Sequence, residues 1–200
     1  MMARSAWAAM AMDVRAIGRT AMIVAACAVC AGHDVAAQAP VKAKLPLVIT
    51  SCGQSPDAYT VSMLAKRIKL EHTFDNVLKP DALKPGSTLV VVMGGSAKGL
   101  GEAGIDEKGE IARVAALLAK AKDLKMTVVG AHIGGESRRG PLSDKFIDPV
   151  AARADYFVVT QDGNKDGLFS NLSKSRGVPL VVVKQLVDVG KELKALFPAQ

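Results

Sequence analysis

Two stretches of the chain combine an apolar run, paired glycines, a serine and basic side chains within a short span. One runs from Val128 to Gly140 (VVGAHIGGESRRG) and the other from Val90 to Gly99 (VVVMGGSAKG). Glycine lets a ligand approach the main chain, and backbone N–H groups at a helix start attract anions. These loops therefore predict a site for a carboxylate or a phosphate. The predicted ligand-binding residues are Gly94, Gly95, Ser96, Lys98, Gly134, Gly135, Ser137, Arg138 and Arg139.

A third loop, SCGQSPD from Ser51 to Asp57, follows the first apolar run. Cys52, Gln54 and Ser55 are therefore added to the predicted ligand site. The alternative is structural, because tight turns between strands and helices also use glycine, and basic side chains beside them can point into water. The sequence leaves both interpretations open, although two glycine-rich loops indicate a ligand more strongly than one.

A cysteine, a histidine and an aspartate follow three different predicted strands. Cys52 as nucleophile, His132 as base and Asp162 as the residue that orients the base would form a hydrolase or transferase site. A helix N-terminus near Cys52 would lower the pKa of its thiol. Each residue type also has structural roles, because cysteine is often buried, histidine binds loop carbonyls and aspartate caps helices. Catalysis is therefore an alternative to ligand binding.

The segment from Asp162 to Gly167 (DGNKDG) matches the first half of a calcium-binding loop. In such a loop Asp162, Asn164 and Asp166 would direct three oxygens at one ion. The twelfth position holds Ser173, where the loop normally uses a bidentate glutamate. A turn that caps the next helix is therefore favoured, with calcium as the alternative. No other cofactor is predicted.

A GxGxxG pattern occurs from Gly99 to Gly104 (GLGEAG). A dinucleotide-binding loop of this kind leads directly from a strand into a helix. Here the preceding strand is predicted to end at Met93, and the next helix is predicted to begin only near Asp106. The sequence therefore does not predict a nicotinamide cofactor.

The net charge of the chain is positive but dispersed. Its 200 residues include 26 Lys and Arg against 19 Asp and Glu, a formal charge of +7, and only 4% are aromatic. Surfaces that bind nucleic acids usually cluster basic residues and add aromatic side chains for stacking. The predicted partner is therefore a small anionic solute and not a nucleic acid.

From Leu45 onward, short apolar runs alternate with segments of helical periodicity. This alternation predicts a parallel sheet covered by helices on both faces. The predicted fold is a single-domain, Rossmann-like α/β sandwich of three layers, with a mainly parallel sheet of five or six strands. Ligands bind such sheets at the carboxyl ends of the strands. The predicted strands are 45–51, a weak one near 74–78, 88–93, 126–132, 156–160 and 178–183.

Polar residues and prolines mark the predicted helix boundaries. Ser55 is predicted to cap the first helix, and Ser143-Asp144 to cap a later one. Pro149 predicts an interruption of that later helix.

Residues 1–37 have the pattern of an export signal. Arg15 and Arg19 precede a small-apolar run from Ala21 to Ala31, and small residues before Ala37 supply a cleavage site. The apolar run is shorter than the ~20 residues that a membrane-spanning helix needs. Cleavage after Ala37 is therefore expected.

Residues 38–44 are predicted to form a tether, and residues 45–200 the single α/β domain. The predicted location is the periplasm or the medium outside the cell. A lipobox-like sequence that ends at Cys27 (VAAC) makes a lipid anchor the alternative.

Four segments together resemble a family of exported bacterial proteins classed as a domain of unknown function. They are 47–57 (LVITSCGQSPD), 90–104, 132–146 (HIGGESRRGPLSDKF) and 154–169 (ADYFVVTQDGNKDGLF). The resemblance implies an exported Rossmann-like domain whose named motifs belong together, which favours a site over an accidental match. It implies no catalytic roles.

The combined prediction is an exported domain that binds a small anionic solute at the carboxyl edge of its sheet. Two alternatives stay open. One is a cysteine-dependent hydrolase or transferase that uses Cys52 and His132. The other is a protein-interaction subunit of a membrane transport system, for which a membrane transporter would be the partner.

Overall fold

Apolar runs of the chain form strands that alternate with helices in the computed structural model, which describes residues 43–197. The strands are β1 (Leu47–Cys52), β2 (His72–Phe74), β3 (Thr88–Met93), β4 (Thr127–His132), β5 (Tyr156–Thr160) and β6 (Leu180–Val183). The helices are α1 (Asp57–Arg67), α2 (Ala97–Glu102), α3 (Glu107–Asp123), α4 (Pro141–Ala151), α5 (Leu168–Arg176) and α6 (Leu186–Ala195). Short 3₁₀ turns lie at Pro80–Ala82, Gly135–Arg138 and Gln161–Asn164.

The six strands pair in parallel in one sheet, in the order β2-β1-β3-β4-β5-β6. This confirms the predicted Rossmann-like α/β sandwich. The chain leaves β1 for β2 on one side and then returns to β3 on the other side of β1. Open α/β sheets bind ligands at such a reversal, in the crevice beyond the carboxyl ends of the two central strands.

Helices cover both faces of the sheet. On one face, α1 and α6 bury apolar side chains such as Val61 and Leu193 against the strands. On the other face, α3, α4 and α5 contribute Leu117, Phe146 and Phe169. All residues of β1 and β3 are buried, as expected for central strands covered on both faces.

The weak strand predicted near 74–78 lies earlier in the chain, because β2 ends at Phe74. The chain turns directly after it. Asp75 Oδ1 accepts a hydrogen bond from the Val77 backbone N–H at 2.9 Å, and such local bonds compete with the ladder of a sheet.

Helix α4 begins before the predicted Ser143-Asp144 cap, at Pro141. Proline suits the first position of a helix because its missing N–H would have no partner there. The predicted interruption at Pro149 is wrong, because the helix continues to Ala151. Its inner face is fully buried, and this packing holds the helix together across the proline.

The predicted signal peptide, its cleavage site after Ala37 and the lipid-anchor alternative at Cys27 lie outside the described residues. Two residues assigned to the end of the tether are attached to the domain. Ala43 is buried, and its N–H donates to the Leu196 carbonyl oxygen, while Lys44 N–H donates to Thr88 Oγ1 at 2.9 Å. Within residues 43–197, no helix has the length and apolar character of a membrane span.

A buried ion pair connects α3 to the carboxyl end of β1. Glu110 is fully buried, and Arg113 Nε lies 2.8 Å from its Oε2 atom. The guanidinium also donates to the main-chain oxygens of Ser51 at 2.6 Å and Leu78 at 3.0 Å. Arg113 thereby joins β1 to the segment that leads towards β3.

The second oxygen of Glu110 fixes the loop that follows β1. Glu110 Oε1 accepts hydrogen bonds from the Gly53 N–H at 2.9 Å and from Gln54 Nε2 at 3.0 Å. A buried charge is stable only when its hydrogen bonds are satisfied, so the Glu110–Arg113 ion pair and the loop after β1 stabilise one another. The position of Gln54 therefore depends on a side chain from α3.

We expect Glu110→Gln to lower the free energy of unfolding by about 3–5 kcal/mol, because it leaves the Arg113 charge buried without its counterion. Urea unfolding followed by circular dichroism measures this change.

Glu107→Gln is the matched control. It removes a carboxylate from the same helix, but the Glu107–Lys145 pair is exposed, so its loss should cost about 1 kcal/mol or less. If the two variants unfold at the same urea concentration, the buried pair does not stabilise the fold as described.

Candidate functional site

A cleft of about 650 Å³ opens at the carboxyl edge of the sheet. The loops after β1, β2 and β3 bound it, together with α2 and the start of α1. Its lining residues are Gln54, Pro56, Tyr59, Phe74, Asn76, Val77, Ser96, Lys98, Gly99, Glu102, Ala103 and Arg138. Four of them, Gln54, Ser96, Lys98 and Arg138, belong to the ligand site predicted from the sequence.

Gln54 lies at the base of this cleft in a left-handed backbone conformation, with a φ of +57°. Non-glycine residues seldom adopt this conformation, and they keep it only where their surroundings hold them. The side chain is 5% exposed, and Nε2 donates to the Asn76 carbonyl oxygen at 2.8 Å as well as to Glu110. Gly99 approaches so closely that any side chain there would overlap the Gln54 carbonyl.

Asn76 is a cleft residue that the sequence did not single out. Its main-chain oxygen accepts hydrogen bonds from Gln54 Nε2 and from Thr50 Oγ1. Its side-chain Oδ1 is buried and has no hydrogen-bond partner among the described residues. The only signal in the sequence is an Asx-type residue directly after a short strand, which is typical of ordinary turns.

An aromatic pair forms the apolar wall of the cleft. The ring centroids of Tyr59 and Phe74 lie 6.0 Å apart with a tilted geometry. Tyr59 is 56% exposed, and Val77 beside it is also exposed. The sequence did not predict this wall, because Tyr59 lies on α1, whereas Phe74 and Val77 lie in a segment without clear periodicity.

The backbone amides predicted to bind an anion after β3 have partners inside the fold. Gly94 N–H donates to the Cys52 carbonyl oxygen at 2.9 Å, and Ser96 N–H to that of Gly53 at 2.8 Å. Gly95 N–H donates to Ser143 Oγ at 3.0 Å. These three donors tie the loop to β1 and α4, so they do not point at a ligand.

The serine hydroxyls of the predicted site make local contacts. Ser96 Oγ accepts from the Gly99 N–H at 3.1 Å and caps α2. Ser137 Oγ donates to the Gly134 carbonyl oxygen at 2.9 Å, and Ser55 Oγ donates to Asp57 Oδ2 at 2.7 Å. Ser55 also accepts the Asp57 N–H at 3.2 Å, but the residue at the N-cap position of α1 is Pro56, so the predicted Ser55 cap lies one residue too early.

The two adjacent arginines have different environments. Arg139 Nε lies 2.9 Å from Asp144, and its guanidinium binds both oxygens of Asp166 and the Gly163 carbonyl oxygen. These bonds raise the pKa of Arg139 and hold the pKa of Asp166 at about 2. Arg139 therefore connects α4 to the loop after β5 and does not line the cleft.

Arg138 and Lys98 do line the cleft, and their ion pairs are longer. Arg138 Nε lies 3.7 Å from Asp57 Oδ2, and Nη1 donates to the Gly95 carbonyl oxygen at 3.2 Å. Lys98 Nζ lies 3.7 Å from Glu102 Oε1 and is 87% exposed. A separation of 3.7 Å exceeds a direct hydrogen bond, so both cations have donors left for a ligand.

Two predicted glycines position the Arg138 segment, Gly134 by leaving space and Gly135 by its backbone conformation. A side chain at Gly134 would overlap both the Arg138 side chain and the Asp57 carboxylate. Gly135 has a φ of +63°, where glycine carries no steric penalty, and it begins the 3₁₀ turn that includes Arg138.

Cys52 and His132 face the interior. Cys52 is fully buried, its thiol donates to the Phe146 carbonyl oxygen at 3.1 Å, and burial raises its pKa, with a smaller contribution from Glu110. His132 is also buried, which lowers its pKa. A deprotonated nucleophile at Cys52 is therefore disfavoured at neutral pH.

The two ring nitrogens of His132 lie beside carbonyl oxygens. Nδ1 is 3.0 Å from the Met93 oxygen, Nε2 is 3.3 Å from that of Gly135, and the ring stacks on Phe169. Asp162 pairs with Lys165 at 3.5 Å. No hydrogen bond among residues 43–197 links Cys52, His132 and Asp162, so the predicted catalytic triad is not assembled.

The oxygens of the calcium-type loop have separate partners. Asn164 Oδ1 accepts the backbone N–H groups of Phe169 and Ser170 at the start of α5. Asp166 binds Arg139, and Asp162 lies near Lys165. The arrangement corresponds to the helix-capping alternative. In the part of the chain that the structure describes, no three His, Cys, Asp or Glu side chains are grouped as metal ligands.

The GxGxxG segment does not form a phosphate loop. Helix α2 begins at Ala97, so Gly99 and Gly101 are helical, and Gly104 follows the helix with a φ of +63°. The helix that the sequence predicted near Asp106 is α3, and α2 is an additional element before it.

Comparison with known proteins places the chain in a family. No curated protein and no solved structure matches it. The model of a domain of unknown function, DUF6305, matches residues 44–197. This range contains all the strands and helices described above and every residue of the cleft. The chain therefore belongs to the DUF6305 family, the domain of unknown function that spans residues 44–197.

Proposed function

We propose that this protein is an exported domain that binds a small anionic solute in the cleft at the carboxyl edge of its sheet. The observation that supports the proposal is the presence of Arg138 and Lys98 on a cleft of about 650 Å³. Neither cation has a counterion within direct hydrogen-bonding distance among the described residues. The predicted export signal, outside the described residues, supplies the proposed location.

The size and position of the cleft support a small ligand. Sites for small molecules usually occupy about 300–1,000 Å³ and combine apolar walls with a few polar groups. This cleft has an aromatic wall at Tyr59 and Phe74 and polar groups at Gln54 and Asn76. It lies beside the β1/β3 reversal, where parallel sheets of this topology bind ligands.

Fewer residues are proposed to bind the anion than the sequence predicted. The amides of Gly94, Gly95 and Ser96 serve the fold, and Arg139 is held by two carboxylates. Arg138 and Lys98 are therefore the proposed anion-binding residues. An anion would compete with Asp57 and Glu102 for them, and the long separations make that competition inexpensive.

We expect a panel of acetate, citrate, 3-phenylpropionate and phenyl phosphate to include at least one anion that raises the melting temperature. Arg138→Ala and Lys98→Ala should each weaken its binding about tenfold, because each removes a charge-assisted contact. Thermal unfolding and isothermal titration calorimetry measure the two effects.

Lys191→Ala is the control for charge. It also removes one lysine and one exposed ion pair within a single helix, but it lies on α6, away from the cleft. It should leave binding unchanged. Equal weakening in all three variants would show that net charge alone attracts the anion, and no binding by the whole panel would contradict the proposal.

The catalytic alternative depends on the thiol of Cys52, which we expect to be unreactive in the native protein. In a full chain carrying Cys27→Ser and Cys30→Ser, labelling by a disulfide reagent at neutral pH should be at least about a hundredfold slower than in urea, because the thiol is buried and protonated. Reaction of the native thiol at the rate of a free cysteine would revive that alternative.

A further inference from the structure

The base of the cleft has hydrogen-bond acceptors that lack donors. Asn76 Oδ1 is buried without a partner in the described part of the chain. Gln54 donates twice through Nε2, whereas its Oε1 accepts no hydrogen bond from any residue between 43 and 197. Gln54 as a whole residue is 5% exposed, and of the two oxygens only Asn76 Oδ1 is itself buried without a partner. A buried acceptor without a donor costs free energy, and a ligand that supplies an N–H or O–H recovers it.

Both acceptors can reach a group in the cleft. Gln54 and Asn76 are lining residues, and the Asn76 backbone is fixed by the Gln54 Nε2 bond to its carbonyl oxygen. The terminal torsion of an asparagine side chain has a broad energy profile, so Oδ1 can turn towards a donor without moving the main chain. The two side chains therefore form an acceptor pair at the base of the cleft.

The charged side chains of the cleft favour a singly charged anion over a phosphate dianion. Lys98 and Arg138 are balanced by Glu102 in the cleft and by Asp57 next to Arg138. A phosphate dianion would meet these carboxylates. It would also lack the cluster of backbone N–H groups that usually cradles phosphate, because those of Gly94, Gly95 and Ser96 have internal partners.

The remaining wall is apolar. Tyr59, Phe74 and Val77 lie together beside the acceptor pair, and Tyr59 and Val77 are exposed. Exposed aromatic and aliphatic side chains at a cleft favour a ligand with an apolar body, because its binding removes their surface from water.

We infer that the ligand is a small carboxylic acid that carries an apolar body and an amino or hydroxyl group, as in an amino acid or a hydroxy acid. This inference rests on the proposed function and deepens it. The carboxylate binds Arg138 and Lys98, and the apolar body packs on Tyr59 and Phe74. An ammonium group donates to both Asn76 Oδ1 and Gln54 Oε1, whereas a hydroxyl, which has one proton, donates to Asn76 Oδ1.

The test compares four probes by isothermal titration calorimetry with the full chain. Phenylalanine and 3-phenyllactate have the carboxylate, the ring and a donor, 3-phenylpropionate lacks the donor, and phenyl phosphate replaces the carboxylate. At least one of the first two should bind about tenfold more tightly than 3-phenylpropionate and phenyl phosphate, as expected for one buried hydrogen bond.

Two substitutions of Asn76 assign the acceptor. Asn76→Ala removes Oδ1 and should reduce the preference for a donor-bearing probe to about twofold or less, whereas Asn76→Asp keeps an acceptor and should retain it. Thermal unfolding without ligand checks that both variants are folded. A preference that persists in Asn76→Ala would overturn the assignment.

The outcomes separate this inference from the proposed function. If 3-phenylpropionate binds as tightly as phenylalanine and phenyllactate, the cleft binds anions but the donor requirement is wrong. If phenyl phosphate binds most tightly, the carboxylate assignment is wrong. If none of the four probes binds and the anion panel also fails, the proposed function is wrong as well.

Discussion

The ion pair between the fully buried Glu110 and the largely buried Arg113 is the interaction on which the carboxyl edge of the sheet depends. Both residues lie on α3, but their hydrogen bonds reach the end of β1, the loop after it and the segment before β3. Glu110 accepts one of the two hydrogen bonds that Gln54 Nε2 donates, and the Asn76 carbonyl oxygen accepts the other, so the pair helps to hold Gln54 in its left-handed conformation. A structural charge pair under one face of the sheet therefore sets the geometry of a cleft at its edge.

At the carboxyl edge of the sheet, some polar groups of the loops are bonded within the fold and others face the cleft. The main-chain donors after β3 join the loops to one another, and Arg139 joins α4 to the loop after β5. The groups that remain towards the cleft are side chains: two cations with long ion pairs, and Asn76, whose buried Oδ1 has no donor among residues 43–197. The proposed site would therefore recognise a ligand by separate side-chain contacts on different walls, and not by a nest of amides.

The fold was predictable from the sequence because its signals are local: β-branched runs such as Thr88–Met93 form strands wherever both faces are covered. The position of the cleft at the carboxyl edge agrees with the general rule for parallel sheets. The contacts of individual side chains in the cleft were not predictable from the sequence, because they depend on strand order and side-chain direction. The sequence does not distinguish the buried Glu110 from the exposed Glu107 on the same helix. It also does not distinguish Arg138, which lines the cleft, from Arg139, which is bound to Asp144 and Asp166.

Backbone and side-chain amide shifts in ¹H–¹⁵N NMR spectra, recorded while the tightest-binding compound among the anion panel and the four probes is added to the protein, test the central claim most directly. The account predicts that the largest changes fall on Gln54, Asn76, Ser96 and Gly99, which surround the cleft and its base. Changes centred on Gly163 and Asp166, around Arg139, would contradict it. So would a spectrum that does not change at saturating ligand.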